Sequence, residues 1–256
     1  MRELNYDKLI FDIHNWIRNY LKSANAENII LGLSGGIDSA VTAALCTKAL
    51  GNKNVFGLGL PCGSISQDLE DAKLVAKSLV IDFTILDLNP VYEKFLSIIG
   101  TSYKRNNMAN ANLKPRLRMT ALYFYGQSKG KSLIAGTSNR AELAIGYFTK
   151  YGDGAADFEP LASLYKQEVR KLAKILRIPE RIITKNPSAG LWAGQTDEGE
   201  IGLTYDILDE ILYRIDYDIN FDGLNNEEIQ KVRELMSAAR HKLTMPSMFN
   251  VRDQSL

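Results

Sequence analysis

Gly32-Leu33-Ser34-Gly35-Gly36-Ile37-Asp38-Ser39-Ala40 is the stretch that decides how this chain folds. Asn28-Ile-Ile-Leu31, just before it, is a short apolar run ending in glycine. Val41 to Leu50, just after it, has a helical pattern that stops at Gly51. The order is strand, tight glycine turn, helix. Gly35 and Gly36 let the backbone turn sharply and bring its N–H groups close to a ligand. The helix begins with unpaired N–H groups and a partial positive charge, and Ser34 and Ser39 add hydroxyls. Together these parts form a nest for an anion such as the pyrophosphate end of a nucleotide. Asp38 on its own would repel phosphate, so a cation is expected between them, with Mg²⁺ the natural candidate. The plainer alternative is a tight turn followed by a capped helix. No Gly-Lys-[Ser/Thr] follows, and the spacing is not G-x-G-x-x-G, so the two commonest phosphate loops are excluded.

Outward from the loop, strands and helices alternate. Residues 4–23 carry a helical apolar stripe from Leu4 to Leu21. Residues 54–60 read as a second buried strand, 67–79 as an amphipathic helix, and 81–88 as a third strand. Asn89-Pro90 opens a helix that Gly100 closes. Residues 101–130 read as a long helix behind a polar approach, with Pro115 near the helix start. Ser132 to Gly136 is a fourth strand and Thr137 starts another helix. Residues 147–159 are glycine-rich and irregular, 163–176 are helical, 186–199 form a mobile loop, and helices cover 204–215 and 226–240. The expected fold is α/β: one domain with a doubly wound, mostly parallel sheet flanked by helices. Ligands of such sheets sit beyond the carboxyl ends of the strands, where the glycine loop falls.

Composition narrows the function. Of 256 residues, 45% are hydrophobic and 24% charged, an ordinary globular balance. A formal charge of +1 gives no field for nucleic acid or an anionic membrane, so phosphate binding must come from local placement of charge. Cys46 and Cys62 suggest neither a disulfide framework nor a metal cluster. The polar start and the lack of a long apolar run point to a cytoplasmic protein with no membrane partner.

Four further units carry possible chemistry. Ala135-Gly-Thr-Ser-Asn-Arg-Ala-Glu142 is again a strand end entering a helix, so it points at the same sheet edge. Thr137 can bond a nucleotide, and Glu142 can serve as a second Mg²⁺ ligand or simply as a favourable charge at the helix start. Lys150, Asp153 and Asp157 lie in a glycine-rich loop that either binds a polar ligand or is solvated surface. Arg116 and Arg118, at i and i+2, lie on different helix faces, so one can bind an anion while the other pairs structurally. His241-Lys242 reads as an exposed pair. With only His14 and His241 in the chain, acid–base work by histidine is not expected. The chemistry indicated is electrostatic.

Ser34-Gly-Gly-Ile-Asp-Ser39 resembles the pyrophosphate loop of the ATP pyrophosphatase superfamily, whose folds are Rossmann-like (adenine nucleotide alpha hydrolase-like). Arg116-Leu-Arg-Met119, Gly136 to Glu142, Gly146 to Asp153, Pro187 to Glu198 and His241-Lys242 extend the resemblance, in order, to the ammonia-dependent NAD synthetase family. The resemblance implies one synthetase domain over residues 1–256 and ligation of ammonia to deamido-NAD through an adenylated intermediate, giving NAD, AMP and pyrophosphate. It implies ATP contacts from Gly32, Leu33, Ser34, Gly35, Gly36, Ile37, Asp38, Ser39, Thr137, Lys166 and Ser188. Asp38 and Glu142 would hold Mg²⁺. Arg116, Lys150, Asp157, His241 and Lys242 would contact deamido-NAD. Asp38, Lys150, Asp153 and Lys166 form the implied catalytic set. Family members act as homodimers, with the dinucleotide near the interface and the N-terminal and late helices as contact surfaces. Ser188 stands where many members have threonine, and Gly190 where some have aspartate. Glutamine-using relatives carry an added amidase domain, for which too few residues precede Gly32, so free ammonia is the expected nitrogen source. An RNA-modifying ligase would need a basic face, and a nucleotide sensor would have no need of Lys150, Asp157 or His241-Lys242.

Overall fold

The computed structural model describes residues 2–100, 107–188, 190 and 194–249. Four short strands, β1 (Asn28–Gly32), β2 (Val55–Gly59), β3 (Asp82–Ile85) and β4 (Ser132–Ile134), form one parallel sheet in the order β3-β2-β1-β4. Ile30 pairs with Phe56 on one side and with Ile134 on the other. The two-residue period of a strand sends alternate side chains of β1 to opposite faces. Ile29 and Leu31 join the larger core, while Ile30 joins Leu58, Leu60 and Ile134 on the far face. Both faces are therefore apolar, which is why β1 reads as a continuous hydrophobic run.

The larger face is covered by α1 (Tyr6–Ser23), α2 (Ile37–Leu50) and α3 (Ser66–Leu79). Asn5 caps α1 by accepting from Lys8 N, and α2 ends at Gly51. Every position of α2 from Ser39 to Cys46 is buried, so this helix is enclosed rather than amphipathic. After α4 (Asn89–Ile99), α5 (Asn107–Ser128) covers the opposite face through Ala121, Leu122 and Tyr125. The remaining helices are α6 (Arg140–Ile145), α7 (Lys166–Ile175), α8 (Glu180–Ile183), α9 (Asp197–Ile201), α10 (Tyr205–Asp216) and α11 (Asn226–Ala239). α7 joins the larger core through Val169, Leu172 and Ala173. α6, α10 and α11 build a second core around Ala144, Tyr205, Leu208 and Val232. The doubly wound α/β expectation is met. Strand order reverses at β1, with β2 and β3 on one side and β4 on the other, so a crevice opens at the carboxyl ends of β1 and β4.

Several local expectations are corrected. Pro115 lies well inside α5, not near its start. The polar residues before it are helical because they pack: Ala111 is buried and Asn112 Oδ1 accepts from Thr149 Oγ1 at 2.7 Å. The helix expected from residue 163 begins at Lys166, with Tyr165 as its cap. α8 was not anticipated, and α9 takes up the end of the stretch read as a loop at 186–199. Residues 189 and 191–193 of that stretch, and 101–106 of the approach to α5, lie outside the described residues.

Leu31 is fully buried at the centre of the sheet. Leu31→Ala is expected to cost about 2–5 kcal/mol, measured as the loss of unfolding free energy in urea.

Candidate active site

The loop after β1 is built from short-range bonds. Ser34 Oγ accepts from Gly36 N at 3.2 Å and lies 3.1 Å from Ser39 Oγ, which donates to Gly36 O at 3.0 Å. Gly36 caps α2 without a side-chain bond, so the serines brace the turn and the helix N–H groups stay available. Gly35 has φ +75°, and a Cβ there would stand 2.5 Å from Asp68 O and 2.6 Å from Asp71 Cβ. Both the backbone conformation and the contact with α3 require glycine. Lys185 ties the same region together, donating to Asp68 and Asp71 at 2.7 Å each.

A cavity of about 910 Å³ opens over this loop. Gly32, Leu33, Ser34, Gly36, Ile37, Asp38 and Ser39 line it, joined from elsewhere in the chain by Thr137, Glu142, Asp153, Lys166, Ser188 and Lys242. Its size suits a nucleotide.

At its centre is an ammonium between acids. Lys166 Nζ donates to Asp38 Oδ2 at 2.6 Å and to Glu142 Oε1 at 3.1 Å, and its side chain is 2% exposed. Burial alone would lower the lysine, but Asp38 and Glu142 outweigh it and hold Lys166 above the ordinary lysine value. Burial pushes Glu142 up to about 7, Lys166 pulls it down, and Asp38 adds to the rise. Asn139 organises the pair: its side chain accepts from Glu142 N, its own N donates to Glu142 Oε2, and its Nδ2 donates to Asp38 Oδ1 at 3.0 Å. Asn-x-x-Glu is the local signal of such a capping box, missed by the helix start expected at Thr137, and the hold on Asp38 has no local signal. Tyr205 OH reaches Glu142 Oε1 at 3.3 Å and Asp197 Oδ2 at 3.1 Å.

Helix α7 is positioned from outside itself. Asp209, fully buried on α10, accepts from Lys166 N at 3.2 Å and Gln167 N at 2.9 Å. Burial raises Asp209 to about 6 while those two donors pull it down. Glu168 Oε2 accepts from Tyr165 N at 3.0 Å, and Arg2 grips Glu168 at 2.8 and 2.9 Å. No local pattern signals Asp209 or Arg2, because their partners are distant in the chain.

The cation that meets Asp38 and Glu142 in this structure is the ammonium of Lys166. The residues still suit Mg²⁺, since Asp38 and Glu142 offer hard carboxylate oxygens. Among the described residues, no three His, Cys, Asp or Glu side chains converge into an all-protein metal cage. Mg²⁺ commonly takes one or two carboxylates and completes its shell with water and substrate phosphates.

The other expected residues separate. Arg118, not Arg116, faces the cavity, donating to Leu60 O at 3.1 Å and Ser64 Oγ at 3.0 Å. Arg116 lies outside it and reaches Lys150 O at 3.4 Å, while Lys150 Nζ donates to His241 O. These three form a separate chain of contacts. Lys242 is not idle: it donates to Gly146 O at 2.6 Å and Phe148 O at 2.8 Å on the cavity wall. Asp153 accepts from Thr149 N at 3.0 Å, and Ser188 Oγ accepts from Gly190 N at 3.1 Å. Asp157 stands apart from the cavity lining; it accepts from Ile134 N at 2.7 Å and Tyr123 OH at 3.3 Å, closing the β4 edge.

Comparison with known proteins gives a consistent result. The sequence model of the family described as NAD synthase matches residues 9–246. The NH(3)-dependent NAD(+) synthetase of Archaeoglobus fulgidus is 44% identical over 252 residues, which are 98% of this chain and 99% of that protein. An NMN synthetase from Francisella tularensis matches in structure with a TM-score of 0.88 at 35% identity, covering 97% of this chain and 100% of that one. The NH3-dependent NAD synthetase from Campylobacter jejuni, in complex with nitrate, matches with a TM-score of 0.82 at 32% identity over the same shares.

Glu159 backs this site. Its carboxylate lies against Gly136, leaving no room for a Cβ, and accepts from Ser138 N at 3.0 Å. Burial pushes it up to about 8 from 4.5, Ser138 N–H opposes the rise, and Glu142 and Asp153 add to it. Between those values the unfolded chain has released the proton that the folded chain keeps, so this group makes stability fall as pH rises. Glu159→Gln is expected to flatten that fall, read from urea midpoints at pH values spanning the window. An unchanged slope would assign the fall to other groups.

Proposed function

The chain belongs to the NAD synthase family, and from that premise we propose that it amidates deamido-NAD with free ammonia at the expense of ATP. Residues 1–256 are read as one synthetase domain. The carrying observation is that the glycine loop at the head of α2 and the Lys166–Asp38–Glu142 cluster share one cavity.

The nicotinate carboxylate attacks the α-phosphorus of ATP, and the bond to the β-phosphate breaks as pyrophosphate leaves. Ammonia then attacks the activated carbonyl, a C–N bond forms, and AMP departs. Gly32 to Ser39 hold the outgoing pyrophosphate on backbone donors at a helix N-terminus. Lys166 turns its ammonium from the two carboxylates to the phosphates, where negative charge grows. Thr137 and Ser188 give hydroxyls to the nucleotide. Mg²⁺, held by Asp38 and Glu142, would neutralise phosphate charge as a Lewis acid. Neither histidine lines the cavity, in keeping with a reaction that needs no histidine base.

Arg116, Lys150, Asp153, Asp157, His241 and Lys242 are assigned to deamido-NAD and its reacting end. The bonds of Asp157 to Ile134 and Tyr123 would hold it still for that role. The dinucleotide lies near an interface between two copies of the chain. Exposed apolar side chains on α4 and α5, such as Ile98 and Phe124, support α4 and α5 as the joining surface in addition to the N-terminal and late helices. Among the described residues no helix is long and apolar enough to cross a membrane, and a net charge of +1 supports no role with nucleic acid.

Incubation with ATP, Mg²⁺, deamido-NAD and ammonium is expected to give AMP, pyrophosphate and NAD in equal amounts, and glutamine alone to give none. Nicotinate mononucleotide serves as the rival acceptor, because one structural relative is an NMN synthetase. ADP in place of AMP, or a preference for the mononucleotide, would overturn the assignment. Lys166→Met and Asp38→Ala are expected to lower kcat by about 100-fold or more, with the far-ultraviolet circular dichroism spectrum unchanged.

A further inference from the structure

We infer that Asp197 holds the ammonium ion that supplies the nitrogen, an assignment resting on the amidation reading above. Asp197 opens α9, is 5% exposed and lines the cavity. Its Oδ2 accepts from Tyr205 OH at 3.1 Å, while its Oδ1 is buried and accepts no well-formed hydrogen bond among the described residues; the hydroxyl of Tyr147 lies near the carboxylate but gives its proton to Glu200. A carboxylate oxygen removed from water and left without a donor is costly unless a ligand completes it.

Donors are short throughout this corner. Lys166 directs its hydrogen bonds to Asp38 and Glu142. Tyr205 carries one hydroxyl proton yet lies within reach of both Glu142 and Asp197. Asp38 and Glu142 thus share the ammonium of Lys166, and Asp197 is joined to them through the hydroxyl of Tyr205. Lys166 and a Mg²⁺ on Asp38 and Glu142 would leave Asp197 Oδ1 still without a donor, which a cation bringing its own N–H groups would supply.

Ammonium suits this oxygen better than a second divalent ion. Mg²⁺ demands an octahedron of oxygens and keeps much of its water, whereas Asp197 offers a single oxygen within a buried wall. Around it stand further acceptors and aromatic rings. Tyr147 donates to Glu200 at 2.5 Å, Gln195 Nε2 donates to Glu200 at 2.6 Å, and all three line the cavity. Tyrosine faces suit a compact cation, and the ring of Tyr205 already carries Lys166 Nζ at 4.7 Å. The nitrogen source would thus wait in the cavity it shares with Lys166. The ammonium would pass one proton to Asp197, the freed ammonia would attack the acyl carbon as its bond to AMP breaks, and the second proton would leave with the AMP phosphate.

Asp197→Asn keeps the shape and removes the charge. It is expected to raise KM for ammonium about tenfold or more. KM for ATP and deamido-NAD, and pyrophosphate release in the absence of ammonium, should stay within about twofold. Unchanged ammonium KM would overturn the assignment, as would a parallel rise in all three KM values, which would make Asp197 part of the ATP site. Should the variant not fold, wild-type crystals soaked in thallous ion test the same point. An anomalous peak beside Asp197 Oδ1, with thallous ion competing against ammonium but not ATP, is expected; a peak confined to Asp38 and Glu142 would refute the site. Wild-type protein that makes no NAD from ammonium would defeat the amidation reading instead, leaving the thallous soak to report on the cation site alone.

Discussion

A buried ammonium shared between two carboxylates organises this molecule. Lys166 comes from α7, Asp38 from α2 and Glu142 from α6, and the three meet where β1 and β4 end. Breaking such a buried pair by removing one partner typically costs about 3–5 kcal/mol, because the other charge is left uncompensated. The arrangement therefore fixes three helices relative to one another. It is also unlike a finished structural ion pair. Burial pushes Glu142 up to about 7 against the pull of Lys166, and perturbed carboxylates of this kind cluster at functional sites.

The surrounding contacts serve to hold that cluster still. Asp209 caps α7 from α10, Asn139 caps α6 and reaches Asp38, and Arg2 grips the glutamate that caps α7. These bonds satisfy helix N–H groups that would otherwise be orphaned, and they set the position of Lys166 without touching its side chain. The glycine loop receives similar support. α3 presses on Gly35, and Lys185 links Asp68 and Asp71 of α3 to the start of the segment after α8. A phosphate entering the loop would meet donors already arranged, so little ordering remains to be done on binding.

Local signals were readable where chemistry and geometry coincide in a few adjacent residues. The strand–glycine–helix stretch at residues 28–50 and the apolar run of β1 survive in the structure, while the helix expected from Thr137 starts at Arg140 behind its Asn139 cap. Pro115 misled because the local rule against proline inside a helix was overridden by packing of the turns before it. The two arginines of residues 116–118 were rightly divided between two faces, but which of them enters the cavity depended on where α5 crosses the sheet. Lys242 read as exposed because its acceptors, the carbonyls of Gly146 and Phe148, lie almost a hundred residues earlier.

By itself the sequence determined the periodic and the short-range: which residues form most of the strands and helices, where the glycine turn at the head of α2 lies, and which acids and hydroxyls stand at the two strand ends. It did so because those features depend on backbone sterics and on spacings of a few residues. Only the tertiary structure decided that Lys166 stands between Asp38 and Glu142, that Asp209 caps α7, and that Asp197 keeps one oxygen unpaired. Each of these depends on burial and on partners from elsewhere in the fold. Charge–charge energies and desolvation are properties of a packed neighbourhood, and no local pattern encodes them.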